Sequence, residues 1–240
     1  MAGGDGPVRV AMWSGPRNIS TAMTRSFGAR PDTVVVDEPL YAHYLAETGL
    51  DHPGRDEVLA SQPTDWRIVA AELTGPLPSG VKIHYQKHMA HHLLPGVDRS
   101  WLGGLTHAYL IRDPAEVVAS YARVREEPTL DDLGYVQQVE LFRAFGGPVV
   151  DARDVLTDPP RLLAAVCAAL DIAYDERMLA WEPGPRATDG VWAKYWYAAV
   201  LRSTGFGPYR PPALAAPERL RPLVDAARPL YEELHAARLD

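Results

Sequence analysis

The sequence predicts an α/β fold in which a parallel β-sheet is flanked by helices and followed by a helical C-terminal region. Three observations carry this expectation. Short apolar, β-branched runs alternate with stretches of helical period, which implies strand–helix–strand crossovers and a sheet covered on both faces. The first run, Val8 to Trp13, leads through Ser14-Gly15-Pro16-Arg17-Asn18-Ile19-Ser20-Thr21 into a helical pattern with Ile19, Ala22, Met23 and Phe27 on one face. The composition is that of an ordinary globular chain, 47% hydrophobic and 23% charged over 240 residues.

That length fits one domain over residues 1–240, with a core at about 8–180 and a helical region at about 181–240. The net charge of -7 argues against nucleic acid or an anionic membrane as a partner, but leaves room for a local basic pocket. No apolar run approaches a membrane span, and Met1 to Pro7 lacks the charged-then-apolar pattern of a signal peptide. The single cysteine, Cys167, cannot form an intramolecular disulfide and reads as a small buried hydrophobe in the run Leu162 to Leu170. A cytoplasmic location is the expectation.

In chain order, strands are expected over 8–13, 33–37, 81–87, 106–112 and 148–153. After Glu38-Pro39-Leu40-Tyr41 the chain turns helical, and the polar, Gly/Pro-rich stretch 48–66 reads as a surface excursion with one short helix, a mobile lid or substrate loop. Asp113-Pro114-Ala115-Glu116 signals a helix start, with Asp113 as N-cap, Pro114 at the first helical position and Glu116 closing a capping box. Further helices are expected over 133–145, 160–170 and 217–239. The aromatic stretch Trp192 to Tyr197 reads as a helix over the sheet edge, its rings mostly core, with Lys194 facing either solvent or ligand.

The turn after the first strand is open to two readings. Free amides at the start of a helix, the hydroxyls of Ser20 and Thr21 and the forked cation Arg17 suit a phosphate cradle. The same residues also suit a plain turn with Asn18 as N-cap. The topology favours the cradle, because ligands of parallel sheets sit beyond the carboxyl ends of the strands. Arg17 to Thr21, Glu38, Lys87-His88 and Arg112 all follow strand ends.

Arg112-Asp113-Pro114, with Ser120 eight residues after the arginine, joins Pro-Arg-x-x-Ser-Thr at residues 16–21 in a pair that resembles the nucleotide-binding signatures of sulfotransferases. Val150 to Leu156, Asp158-Pro159 and Tyr174 to Leu179 resemble a third segment of that family, so the likeness spans about 8–181. The resemblance implies a P-loop-like nucleotide-binding fold, 3′-phosphoadenosine 5′-phosphosulfate (PAPS) as cosubstrate and no metal. Arg17, Asn18, Ile19, Ser20 and Thr21 take the place of the loop that holds the 5′-phosphosulfate, with Arg17 where many members have Lys. Arg112 and Ser120 take that of the 3′-phosphate pair, giving two well-spaced anion sites. The loop lacks the usual glycine, which implies looser contact with the sulfuryl group. The downstream Arg-Lys-Gly motif is absent, and Arg186 in Gly184-Pro185-Arg186 is its nearest candidate.

For the general base the resemblance offers Glu38, since some branches place a catalytic glutamate there. The other reading of Glu38 is a carboxylate that begins a helix. Lys87 takes the place of the strand-end cation on the sulfuryl group, with His88 beside it as rival base, while mid-strand His84 reads as core. His84, His88 and His92 are four residues apart, a metal pattern only if the whole stretch were helical. The function implied is sulfuryl transfer from PAPS to a hydroxyl or amine of a small-molecule acceptor. The alternatives are a P-loop kinase-like phosphotransferase using ATP-Mg and a nucleotide-binding protein without catalysis. A homo-oligomer is compatible with all three.

Overall fold

A computed structural model describes residues 6–240 apart from 126, 212 and 214. At its centre is a five-stranded, wholly parallel sheet of order β2-β3-β1-β4-β5, formed by β1 (Val8–Ser14), β2 (Thr33–Asp37), β3 (Ile83–Met89), β4 (Thr106–Ile111) and β5 (Val149–Asp151). Between β1 and β3 lie α1 (Ser20–Gly28), α2 (Tyr41–Thr48), α3 (Arg55–Ser61) and α4 (Trp66–Thr74). After β4 come α5 (Pro114–Tyr121), α6 (Leu130–Leu133) and α7 (Tyr135–Phe145), and after β5 come α8 (Ala152–Thr157), α9 (Pro159–Ala169), α10 (Ala193–Trp196) and α11 (Arg221–Ala236).

β1 is apolar without interruption because it is central and covered on both faces. Val10 and Met12 face Met23 and Phe27 of α1 and the apolar side of α9, Cys167 included. Ala11 and Trp13 face the opposite layer, with Val117 of α5, Val139 of α7 and Leu234 of α11. Each large apolar side chain buried this way contributes about 1.5–3 kcal/mol relative to exposure, so both layers are needed to cover the sheet. α11 presents Val224, Ala227, Tyr231 and Leu234 to this core, the stripe its period predicts. Among the described residues no helix is long and apolar enough to cross a membrane.

Several boundaries differ from expectation for local reasons. β3 starts two residues later and runs on through His88 and Met89, which pair with Trp13 and Ser14 of β1. Its entry is set by the Asp32 carbonyl, which accepts from the Lys82 and Ile83 amides at 2.8 and 3.1 Å. The expected helix over 133–145 is divided by Gly134, whose φ of 73° ends α6 and opens α7. β5 stops at Asp151, whose carboxylate accepts from the Arg153 amide and caps α8. Asp113 caps α5 through the Ala115 amide. Glu116, however, closes no capping box, because its carboxylate is bonded to Arg112, Arg153 and Tyr209.

The 48–66 excursion carries one short helix, α3, as expected. It is fastened at both sides. Gln62 donates to the Glu38 carbonyl at 3.2 Å and accepts from the Ala42 amide. Glu57 accepts from Lys194 at 2.7 Å and from the Tyr195 hydroxyl at 3.2 Å. Lys194 therefore faces solvent and ties the excursion to the C-terminal region.

Candidate active site

The loop between β1 and α1 is built by close approach and by strain. A Cβ on Gly15 would lie 2.2 Å from the Leu133 carbonyl oxygen, so no larger residue fits without movement. Arg17 (φ 62°) and Ile19 (φ 56°) both adopt the left-handed conformation that favours glycine. For a β-branched side chain this is a true outlier, strained by about 1–2 kcal/mol. Ile19 thus takes the backbone shape a glycine would take, and the loop still curls around its amides. Asn18 does not cap the helix: Ile19 occupies that position with no side-chain cap, and Asn18 Nδ2 donates to the Leu110 carbonyl of β4 at 3.1 Å. The first helical bond runs from Met23 N–H to the Ile19 carbonyl. The amides of Ser20, Thr21 and Ala22 are left with no partner among the described residues, and all three residues line a cavity. Unpaired amides at the start of a helix form a ready anion site.

The cavity, about 550 Å³, lies at the carboxyl ends of the strands. Arg17, Ser20 and Thr21 beyond β1, Glu38 beyond β2, Lys87 on β3, and Arg112 and Ser120 beyond β4 all line it. Arg17 Nε donates to Ser120 Oγ at 2.9 Å, and Arg112 donates to the Arg17 carbonyl at 2.9 Å. The two anion sites expected to stand apart therefore form one continuous basic wall. Glu116 orients Arg112 through its Nε at 2.9 Å. The Arg17 guanidinium is held below its ordinary range by burial and by its neighbours Arg112 and Arg123. An anion placed there would relieve that crowding.

A buried polar network borders the same cavity. Lys87 is 1% exposed, and its ammonium donates to Asp37 Oδ1 at 2.9 Å, Glu38 Oε1 at 2.7 Å and the Tyr197 hydroxyl at 2.6 Å. An ammonium has three hydrogens, so all are taken. Glu38 has φ 44°, a third left-handed non-glycine residue on this cavity. Burial pushes its carboxyl up, Lys87 pulls it down, and the second carboxylate, Asp37, pushes it up again. Strained backbone and an upward-shifted carboxyl in one cleft mark a candidate functional site.

The profile of the family described as "Sulfotransferase domain" matches residues 8–238. The chain belongs to that sulfotransferase family. Two Arabidopsis thaliana proteins named branched-chain-amino-acid aminotransferase-like protein 1 and 2 are 35% identical over 235 residues and 33% identical over 230 residues. Those matches cover 96% and 94% of this chain but only 42% and 41% of the relatives, so the chain spans about two-fifths of their length. The sulfotransferase domain of the Synechococcus PCC 7002 olefin synthase shares the fold at a TM-score of 0.54 and 17% identity, covering 94% of this chain and 96% of that one. A sulfotransferase from Alicyclobacillus acidocaldarius does so at 0.53 and 14%, covering 74% and 87%.

Two residues expected in the site, His88 and Arg186, lie outside this cavity. His88 follows Lys87 on a strand, so it points to the opposite face of the sheet. There it is 1% exposed, stacks on Trp13 at 4.3 Å and meets Gln86 at 3.2 Å, and burial pushes its imidazole down to about 3. His84 lies on the same face, bonded to Gln86, a core histidine as read. Arg186 lines a separate cleft, its guanidinium turned back onto the carbonyls of Glu182 and Pro185. The three histidines spaced by four residues do not converge, and no group of three or more His, Cys, Asp or Glu among the described residues is arranged to hold a metal ion.

The cavity also has walls that sequence reasoning did not place. His92 lies between the rings of Tyr41 (4.6 Å) and Tyr44 (4.7 Å), and His52 of the excursion meets the Tyr41 hydroxyl at 2.9 Å. Tyr41, His52 and His92, together with His91, Tyr121 and Trp196, give the cavity an aromatic and imidazole lining. Tyr197 had a local signal, its aromatic stretch, but Asp37 and Glu116 had none, since each acts on a residue distant in the chain or on another element.

Proposed function

We propose that this domain transfers a sulfuryl group from PAPS to a hydroxyl or amine of a small-molecule acceptor, acting as one unit over residues 1–240. The observation that carries this reading is a single cavity lined both by a phosphate-type cradle and by Glu38. The residues present suit the nucleotide. The free amides of Ser20 to Ala22, the hydroxyls of Ser20 and Thr21, and Arg17 would hold the 5′-phosphosulfate; Arg112 and Ser120 would hold the 3′-phosphate.

The acceptor lies against the aromatic lining of Tyr41, His92 and Trp196. Its oxygen or nitrogen attacks sulfur in line, the bond from sulfur to the bridging phosphate oxygen breaks, and the acceptor proton passes to Glu38. Charge that grows on the leaving phosphate is met by Arg17 and the fixed amides, which need not reorganise during the step. Lys87 touches Glu38 rather than presenting a free hydrogen to the sulfuryl group, so in this reading it supports the base. The Arg112–Ser120 pair favours a 3′,5′-bisphosphate over ATP.

Thermal shift tests the donor. 3′-Phosphoadenosine 5′-phosphate (PAP) at a hundred times its Kd stabilises the fold by about 2.7 kcal/mol, read as a raised Tm. Stabilisation by ATP-Mg and none by PAP sinks the reading and favours a phosphotransferase.

A further inference from the structure

The network around Lys87 holds more than the reaction just described requires. A lone Lys87–Glu38 pair would fix the base; the structure adds Asp37 and Tyr197. All four side chains are buried, at 7% exposure for Asp37, 9% for Glu38, 1% for Lys87 and 4% for Tyr197. Asp37 has an acceptor-only pattern: Oδ1 receives the Lys87 ammonium at 2.9 Å, and Oδ2 receives the Tyr197 hydroxyl at 2.6 Å and the Gly190 amide at 3.4 Å. That is the pattern of an ionised carboxylate. The Tyr197 oxygen is fully used as well, accepting from Lys87 at 2.6 Å and from Trp192 Nε1 at 3.1 Å while donating to Asp37. Glu38 Oε1 accepts from Lys87 at 2.7 Å and, more distantly, faces the Tyr197 hydroxyl at 3.4 Å, and Glu38 lines the cavity.

We propose that Asp37 and Tyr197 are positioning residues that make Glu38 the proton acceptor: with Asp37 present the buried quartet carries one negative charge in excess, and one proton from the acceptor completes it to neutrality. This rests on the reading of Glu38 as the base. The physical reason is desolvation. A buried cluster with unbalanced charge is unfavourable, and taking up a proton removes the imbalance. Without Asp37, Glu38 and Lys87 already cancel, and protonating Glu38 would leave a buried cation alone. Asp37 therefore sets the charge count, while Tyr197 occupies the second Asp37 oxygen and holds one Lys87 hydrogen away from Glu38. The proton balance is simple: the acceptor loses one proton, Glu38 gains it, and Lys87 and Asp37 keep their charges throughout.

The groups that face Glu38 come from several elements. Asp37 lies on β2, Lys87 on β3, Tyr41 on α2, Tyr121 on α5 and Tyr197 just beyond α10. His92, close to Lys87, is kept neutral by burial. Lys87 is the one cation among them, and its ammonium is held well above its ordinary range despite burial, by Asp37, Glu38 and Tyr197.

Infrared titration of the free enzyme tests this without an acceptor. The protonated-carboxyl band of Glu38 is identified as the one that Glu38→Gln abolishes. Asp37→Asn keeps the shape and removes one charge; it should move the Glu38 midpoint down by about one pH unit or more. Lys87→Met removes the cation and leaves the like charge, so it should move the midpoint up. Opposite shifts cannot come from general loosening, and Lys87→Met decides the matter if Asp37→Asn fails to fold. A midpoint that stays put or rises in Asp37→Asn, or that falls in Lys87→Met, overturns the proposal. Tm with PAP is read on the same proteins: no stabilisation by PAP with both shifts present would mean that the sulfotransferase reading fails while the charge coupling stands.

Discussion

Arg17 and Glu38 line one cavity, and their chemistry predicts different phenotypes. Arg17 is a cation crowded by Arg112 and Arg123 with an accessible guanidinium, so its natural counterpart is a bound anion. Arg17→Ala should weaken PAP binding roughly ten- to a hundredfold, the worth of one charge-assisted contact. Isothermal titration reads this directly. Glu38→Gln should leave PAP affinity near wild type and lower turnover with any accepted substrate by about 10²–10⁴. Equal effects of both variants on PAP affinity would mean that Glu38 serves the nucleotide rather than the acceptor. The positive φ angles of Arg17, Ile19 and Glu38 belong to the same picture. Each costs the fold something, and three of the four such non-glycine residues among those described line the cavity, Asp171 being the other.

Among elements, the cradle depends on how β1, α1 and the α6–α7 turn pack together. Gly15 and Gly134 let the two turns touch: Gly15 Cα is 3.5 Å from where a Gly134 Cβ would lie, and a Gly15 Cβ would strike the Leu133 carbonyl. Gly15→Ala should therefore lower unfolding stability by about 1–3 kcal/mol, measured by urea denaturation. It should also weaken PAP binding, because the loop has to shift away from α6. Unchanged stability would show that the contact is slack. β3 illustrates a different dependence. Its alternation sends Tyr85 and Lys87 to one side and His84, Gln86 and His88 to the other, so two adjacent chemical residues could never share the site.

For the whole molecule, the buried histidines dictate a response to acid. His88 is pushed to about 3 and His91 to about 4 by burial, and His92 is also pushed down. Below the ordinary histidine range near 6.5 the unfolded chain binds protons that the folded chain refuses, so stability rises with pH and falls on acidification. Each such histidine contributes a slope of up to about 1.4 kcal/mol per pH unit, from about pH 6.5 down toward its folded value. Glu38 and Asp151, both held above the usual carboxylate range by burial, act in the opposite sense at lower pH. Between pH 7 and 5 the histidines outnumber them, and Tm should drop. A flat Tm over that interval would contradict the neutral, buried histidine wall.

Local chemistry alone was enough for the parallel sheet, the loop between β1 and α1, and the strand-end set Arg17, Ser20, Thr21, Glu38, Lys87 and Arg112 that lines one cavity. Those features rest on periodicity, on turn residues and on the rule that parallel strands share a carboxyl edge, and each is written in a few neighbouring positions. Tertiary structure decided the rest. The phase of β3 removed His88 from the site, because a strand's register depends on its partners rather than on its own residues. Arg186 turned out to bond its own loop. Asp37 and Tyr197, 160 residues apart, meet over Lys87 only because the C-terminal aromatic stretch folds back onto the edge of the sheet. Such a contact leaves no spacing in the chain to read, which is why the cradle, Glu38 and Lys87 were visible in the sequence and the Asp37–Tyr197 part of the network was not.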